Sequence, residues 1–184
     1  ACRAKVVREP RQCLSLAITS GDPHVSKPSE TPATTMLKKH QVAYTEHLYD
    51  YVEHGGTSVS SSALGVDEHH VVKTLIFEDD TRRPLCVLMH GDRKVSTKEL
   101  ARQIGVKRVA PCKPEDAMRH SGYQIGGCSP FGLRKPMPVF MEATILDLPR
   151  ILINGGKRGF LVGLAPQEVV RLVSPGMVTV ALAE

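Results

Sequence analysis

Lys73 stands inside Val71-Val72-Lys73-Thr74-Leu75-Ile76-Phe77, a run whose β-branched and aromatic content predicts a strand. In a strand, Val71, Lys73, Leu75 and Phe77 share one face. An ammonium on an apolar face must reach water, a carboxylate or an anionic ligand. An edge strand, where a lysine discourages pairing with other chains, would account for it as well. A second candidate is Gly126-Gly127-Cys128-Ser129-Pro130-Phe131-Gly132. Adjacent glycines let the main chain approach a ligand, and successive amides in such a bend can cradle an oxyanion or a phosphate. A loop that merely packs would show the same glycines. A third is Gly155-Gly156-Lys157-Arg158-Gly159, a glycine turn bearing two cations. It fails the phosphate-loop pattern, because Ile151 occupies the first glycine position and Arg158 follows the lysine.

Other chemistries find little support. His40, His47 and His54 recur every seven residues but straddle a predicted helix, strand and loop. His69-His70 has no further ligand at zinc spacing, and neither HExxH nor GxSxG occurs. No metal or cofactor is expected. Cys128 invites a nucleophile reading, but no helper lies near it in sequence, so a packed thiol is the simpler expectation.

These residues need elements to hold them. Thr31-Pro32 predicts a helix start, with Thr31 as N-cap and Pro32 at the first helical position, running to about His40. Val42–Tyr49 reads as a strand and Thr57–Leu64 as a helix closed by Gly65. Val71–Phe77 and Leu85–His90 are strands joined by a turn over Asp79–Pro84. Ser96 or Thr97 opens a helix that Gly105 ends. A short strand over Val106–Ala110 and a helix over Pro114–His120 follow. Gly122–Pro138 is a long shaped loop. Val139–Ala143, Ile151–Ile153 and Phe160–Leu164 read as strands, Pro166–Val173 as a helix and Met177–Leu182 as a last strand. Strands and helices mix without a βαβ rhythm, which predicts an α+β fold. Residues 1–30, with Pro10, Pro23 and Pro28 and little periodicity, read as a poorly ordered extension to one domain over 31–184.

Composition narrows the classes. The 184 residues are 41% hydrophobic, enough for a core, and no apolar run reaches the length of a membrane span. Five cysteines, an odd number with no CxxC, argue against a disulfide scaffold. With no secretory pattern at the N-terminus, a cytoplasmic setting is expected. The net charge of +5 conceals a polarity. Tyr44–Asp92 holds three basic and nine acidic residues, whereas Arg93–Lys135 holds ten basic and three acidic. The second segment is either a footprint for a phosphate backbone or a solvated face.

Taken in order, the pieces resemble one family. Thr31-Pro32-Ala33, Tyr49, Val72-Lys73-Thr74-Leu75, Gly122-Tyr123-x-x-Gly126-Gly127-x-Ser129-Pro130-x-Gly132 and Gly155-Gly156-Lys157-Arg158-Gly159 are similar to motifs of the YbaK/EbsC family. Its members are free-standing relatives of the editing domain of bacterial prolyl-tRNA synthetase. The likeness spans about Thr31 to Glu184. It implies a mixed, curled, barrel-like sheet with flanking helices. It also implies hydrolysis of the ester joining a wrong amino acid to tRNA(Pro), most nearly Cys-tRNA(Pro); the alternatives are deacylation of Ala-tRNA(Pro) or another aminoacyl-tRNA, or a non-catalytic module that binds tRNA or a synthetase. By the same likeness Lys73, Gly126 and Gly127 would be catalytic. Tyr49, Cys128, Ser129, Pro130, Phe131, Glu142, Gly156, Lys157 and Arg158 would contact substrate. The partners would be the tRNA(Pro) acceptor end and prolyl-tRNA synthetase. YbaK itself carries Asp at the position of Glu142, Glu-His at Asp50-Tyr51 and Ile at Cys128, so the pocket here would differ in shape.

The expected chemistry follows from size. A synthetase pocket that admits proline also admits cysteine and alanine, so a second site must remove the mistakes. An aminoacyl ester is already activated. Lys73 would bind the acceptor-end phosphate or hydroxyl, or stabilise the developing oxyanion, with loop amides assisting. In the family the substrate's own thiol attacks the ester.

Overall fold

A computed structural model describes residues 30–183. The extension expected over 1–30 lies outside the described residues, apart from Glu30.

Local chemistry sets the helices. The first, α1 (Pro32–Lys39), opens on a reciprocal cap in which Thr34 N–H donates to Thr31 Oγ1 and Thr31 N–H donates to Thr34 Oγ1. The remaining helices are α2 (Gly56–Leu64), α3 (Thr97–Ile104), α4 (Pro114–Ser121) and α5 (Pro166–Val173). Ser96 caps α3 by accepting Glu99 N–H. Gly65, Gly105 and Gly122 end α2, α3 and α4 in the left-handed region, which glycine enters without a Cβ clash.

The strands are β1 (Thr45–Leu48), β2 (Val71–Asp79), β3 (Pro84–His90), β4 (Arg93–Val95), β5 (Val109–Pro111), β6 (Val139–Glu142), β7 (Ile151–Lys157), β8 (Phe160–Leu164), β9 (Gly176–Val178) and β10 (Ala181–Ala183). Seven run side by side in the order β1-β8-β7-β2-β3-β6-β9, β5 pairs with β2, and β10 pairs with β4 in a separate ribbon. Three pairings, β2 with β7, β3 with β6 and β6 with β9, are parallel and the others antiparallel. The mixed α+β class is therefore as expected.

Leu85–Met89 reads as an unbroken apolar run because β3 is buried on both faces. Cys86 and Leu88 join a core with Ala33 and Leu37 of α1 and Val169 of α5. Leu85, Val87 and Met89 join a second core with Leu100 of α3. Fully burying a side chain such as Leu88 contributes about 1.5–3 kcal/mol.

Several elements differ from expectation. The strand expected over Val42–Tyr49 shrinks to Thr45–Leu48, the stretch that pairs with β8. The one expected over Val106–Ala110 begins later, because Val106 N–H closes α3 by donating to Ala101. The one expected over Met177–Leu182 is two strands, broken where Thr179 N–H donates to Gln103 and Val180 N–H to Glu142. Arg93–Val95 forms a strand that only its distant partner Ala181–Ala183 creates. Among the described residues, no helix is long and apolar enough to cross a membrane.

Candidate active site

Lys73 is not on an edge strand. β2 is central, and β3 pairs with it along Val72–Glu78. Its other edge is covered in two pieces, by β7 at Val71–Val72 and by β5 at Phe77–Asp79. The β7 ladder stops at Val72 and the β5 ladder starts at Phe77, and between them Cys112 N–H donates to the Ile76 carbonyl at 3.0 Å. The sheet is thus split beside Lys73. The burial follows: Lys73, Thr74 and Leu75 are half-buried, while the residues flanking them are buried.

A cavity of about 650 Å³ occupies this split, lined by the whole of Val71–Phe77. It touches both sides of the sheet. Tyr49, Val71 and Leu161 belong to one packed cluster, and Ile76, Ala117 and Cys128 to another. Alternation along β2 sends Lys73 towards the side of Val71 and Tyr49. Burial holds the Tyr49 phenol above its usual range, while hydrogen bonding from Gly159 and Ser60 draws it the other way. Desolvation pushes the Cys128 thiol up to about 11. Cys112, also in the lining, reaches about 11 by desolvation with help from Glu78 and Asp116. Both are poor nucleophiles at neutral pH, because the thiolate is the reactive form.

The two glycine motifs meet at this cavity. Gly127 packs on the main chain of Lys157 and Arg158: a Cβ there would stand 3.0 Å from Arg158 N. Asn154 joins them. Its Nδ2 donates to the Gly126 carbonyl at 3.0 Å, and its Oδ1 accepts the N–H groups of Gly156 (2.8 Å) and Lys157 (3.1 Å). Arg158 Nε donates to the Ile125 carbonyl at 2.8 Å, and its guanidinium lies 4.9 Å from the centre of the Tyr51 ring.

Of the residues expected at a site, Lys73, Tyr49, Gly126, Cys128 and Arg158 line this one cavity. Gly127 stands behind Gly126 as backing. Ser129, Pro130 and Phe131 turn inward instead: all three are buried, Ser129 Oγ accepts Phe131 N–H, and Tyr123 OH donates to the Phe131 carbonyl. Gly156 packs on Tyr123 and Thr31, and Lys157 is exposed outside the lining. Glu142 is 1% exposed and away from the cavity, where its Oε2 accepts the N–H groups of Val180 (2.7 Å) and Ala181 (2.9 Å). Asn154 and Tyr51 also line the cavity, although residue type and spacing do not mark them as site residues. Asn154 directly precedes the second glycine motif, and an amide there is the one local hint of a turn-bridging side chain. Among the described residues, no group of three or more His, Cys, Asp and Glu could hold one metal ion.

The profile of the aminoacyl-tRNA editing domain matches residues 55–172, which includes β2, the split and both glycine motifs. The chain belongs to this family. Its likeness to YbaK/EbsC proteins is borne out by a relative from Enterococcus faecalis, provisionally named as the Cys-tRNA(Pro)/Cys-tRNA(Cys) deacylase EbsC. That protein is 29% identical over 146 residues, covering 79% of this chain and 89% of its own length. A proline–tRNA ligase of Limosilactobacillus fermentum is 21% identical over 151 residues, which take in 79% of this chain but 26% of the ligase. Among solved structures, one provisionally described as a trans-editing enzyme for prolyl-tRNA synthetase superposes with a TM-score of 0.72 at 20% identity. It covers 84% of this chain and 100% of its own, and it shares the fold. The family points to aminoacyl-tRNA editing, and its profile spans the residues that line the cavity from Gly56 to Leu161.

Proposed function

We propose that this protein is a trans-editing aminoacyl-tRNA deacylase whose principal substrate is Cys-tRNA(Pro). The observation that carries this reading is Lys73 at the split of the central strand, in one cavity with Gly126, within a chain of the editing family. The name of the E. faecalis relative supports the cysteinyl substrate.

In this reading the aminoacyl ester enters the cavity and Lys73 stabilises the negative charge that develops on its carbonyl oxygen. The Gly126 amide assists, while the Gly127 N–H is donated to the Gln124 carbonyl and holds the turn. For a cysteinyl ester the substrate's sulfur bonds to its own carbonyl carbon, and the bond from that carbon to the ribose oxygen breaks. The thiol proton passes to the ribose oxygen. The products are free tRNA and a cyclic thiolactone, which water opens to cysteine. The raised Cys112 and Cys128 thiols agree with an attacking group that comes from the substrate rather than the protein. The basic segment Arg93–Lys135 contributes attraction for the acceptor end, and prolyl-tRNA synthetase supplies recognition of the rest of the tRNA in the cytoplasm.

The test is deacylation of Cys-, Ala- and Pro-charged tRNA(Pro) by the wild type and by Lys73→Ala. The expected result is selective loss of Cys-tRNA(Pro), reduced at least about 10²-fold in the variant. Hydrolysis of Ala-tRNA(Pro) alone would overturn the substrate, tRNA binding without hydrolysis would overturn the enzyme, and an active Lys73→Ala would overturn the role of the lysine.

A further inference from the structure

The cavity has a floor and a mouth of different character. Its floor is buried, with Val72, Ile76, Ala117 and Ser121. At its mouth the Tyr51 ring is half-buried, Arg158 lies over it at 4.9 Å, and Ile125 is 45% exposed. These groups are fixed in place. Arg158 Nε is held by the Ile125 carbonyl, and the Tyr51 hydroxyl rests on Gly126, where a Cβ would come within 2.8 Å of it. Gly126 has φ +83°, so a side chain there would meet both the strained backbone and the Tyr51 ring.

An aromatic ring, a guanidinium plane and an exposed aliphatic chain around one opening offer flat, polarisable surface together with positive charge. That combination suits an unpaired nucleotide, whose base stacks and whose phosphate is anionic. Glu53 and His54 also border the mouth, so the positive charge is concentrated at Arg158. We infer that Tyr51, Arg158 and Ile125 form a stacking platform for the terminal nucleobase of the RNA acceptor end, with the esterified amino acid directed past it to Lys73. This inference rests on the reading of the cavity as an aminoacyl-ester site. It adds Tyr51 as a substrate-contacting residue and divides the cavity into a base-binding mouth and an acyl-binding interior. Because every base has a stacking face, the platform favours a base over none rather than one base over another.

The test uses two RNA hairpins, one with a single-stranded CCA end and one with the same end finished by an abasic ribose, and the full chain as wild type, Tyr51→Phe and Tyr51→Leu. The wild type should bind the CCA hairpin about tenfold tighter, Tyr51→Phe should keep that preference and Tyr51→Leu should lose it. Arg158→Gln is a second variant that leaves the ring in place and should reduce the preference. Equal binding of the two hairpins by the wild type, or an undiminished preference in Tyr51→Leu, overturns the platform. Deacylation of Cys-tRNA(Pro) separates the two readings. A Tyr51-dependent base preference without hydrolysis would keep the platform and sink the deacylase. Hydrolysis with an unchanged KM in Tyr51→Leu would do the reverse.

Discussion

Asn154 holds Gly126 from across the cavity wall: its amide nitrogen donates to the Gly126 carbonyl at 3.0 Å, while its oxygen accepts Gly156 and Lys157 N–H. One side chain therefore ties the two glycine motifs together, and it is 8% exposed, so these bonds are screened from water. Asn154→Ala should lower stability by about 1–2 kcal/mol, since three hydrogen bonds are lost while their partners, on exposed or half-buried residues, can turn to water once the amide is gone. Asn154→Asp keeps the acceptor for Gly156 and Lys157 but sets a carboxylate against the Gly126 carbonyl. It should fold better than Asn154→Ala in the window of neutral pH yet deacylate at least about tenfold more slowly than wild type. Thermal unfolding and single-turnover deacylation read the two effects separately, and wild-type rates in both variants would refute the tie.

Glu142 serves the C-terminal strands. Its Oε2 accepts Val180 and Ala181 N–H, which break the chain between β9 and β10. Glu142→Ala should cost about 2–4 kcal/mol, the range for buried charge-assisted hydrogen bonds lost with one partner left behind. Urea unfolding measures this. A drop in substrate affinity without a drop in stability would instead restore Glu142 to the substrate site.

The thiols of Cys112 and Cys128 should be slow to alkylate in the native protein at neutral pH. Each titrates at about 11, so labelling should rise about tenfold per pH unit through the alkaline range. Peptide mapping after timed iodoacetamide treatment distinguishes them from the other cysteines. Rapid neutral-pH modification of Cys128 would revive it as a nucleophile.

Asp79 links stability to acid. The Thr81 hydroxyl and the Arg83 and Thr81 N–H groups donate to it, with the Arg83 guanidinium on its second oxygen. Together they lower its carboxyl from the ordinary 3.8 to about 2. A depressed folded-state value means the contribution is present in full above about pH 4 and is lost as pH falls towards 2. The gap in unfolding midpoint between wild type and Asp79→Asn should therefore be largest near neutrality and close over that interval. A gap that persists at pH 2 would mean the carboxylate is not its source.

Much of the frame is written locally. Thr31-Pro32, Ser96 and Pro166 announce helix starts, and Gly65, Gly105 and Gly122 announce ends, because caps depend on a few adjacent residues. Lys73 on an apolar face and the two glycine motifs were likewise readable as candidates, since residue type and alternation alone raise the question. What those candidates share was not readable. β2 could have been an edge strand until β7 and β5 were seen to cover only its two ends. The cavity lies where the β7 and β5 ladders stop short of each other along β2, and neighbours in sequence carry no record of where a distant ladder ends. The same holds for the contacts of Asn154 with Gly126, Tyr51 with Arg158 and Glu142 with Val180, whose members lie 28 residues or more apart. Chain order thus carries the helix caps, most of the strands and the charged and glycine-rich pieces, but not β4 or the break between β9 and β10. Which of those pieces face one cavity and which, like Phe131 and Glu142, build its surroundings is settled in the folded state, because burial and hydrogen-bond partnership are set by contacts between distant parts of the chain.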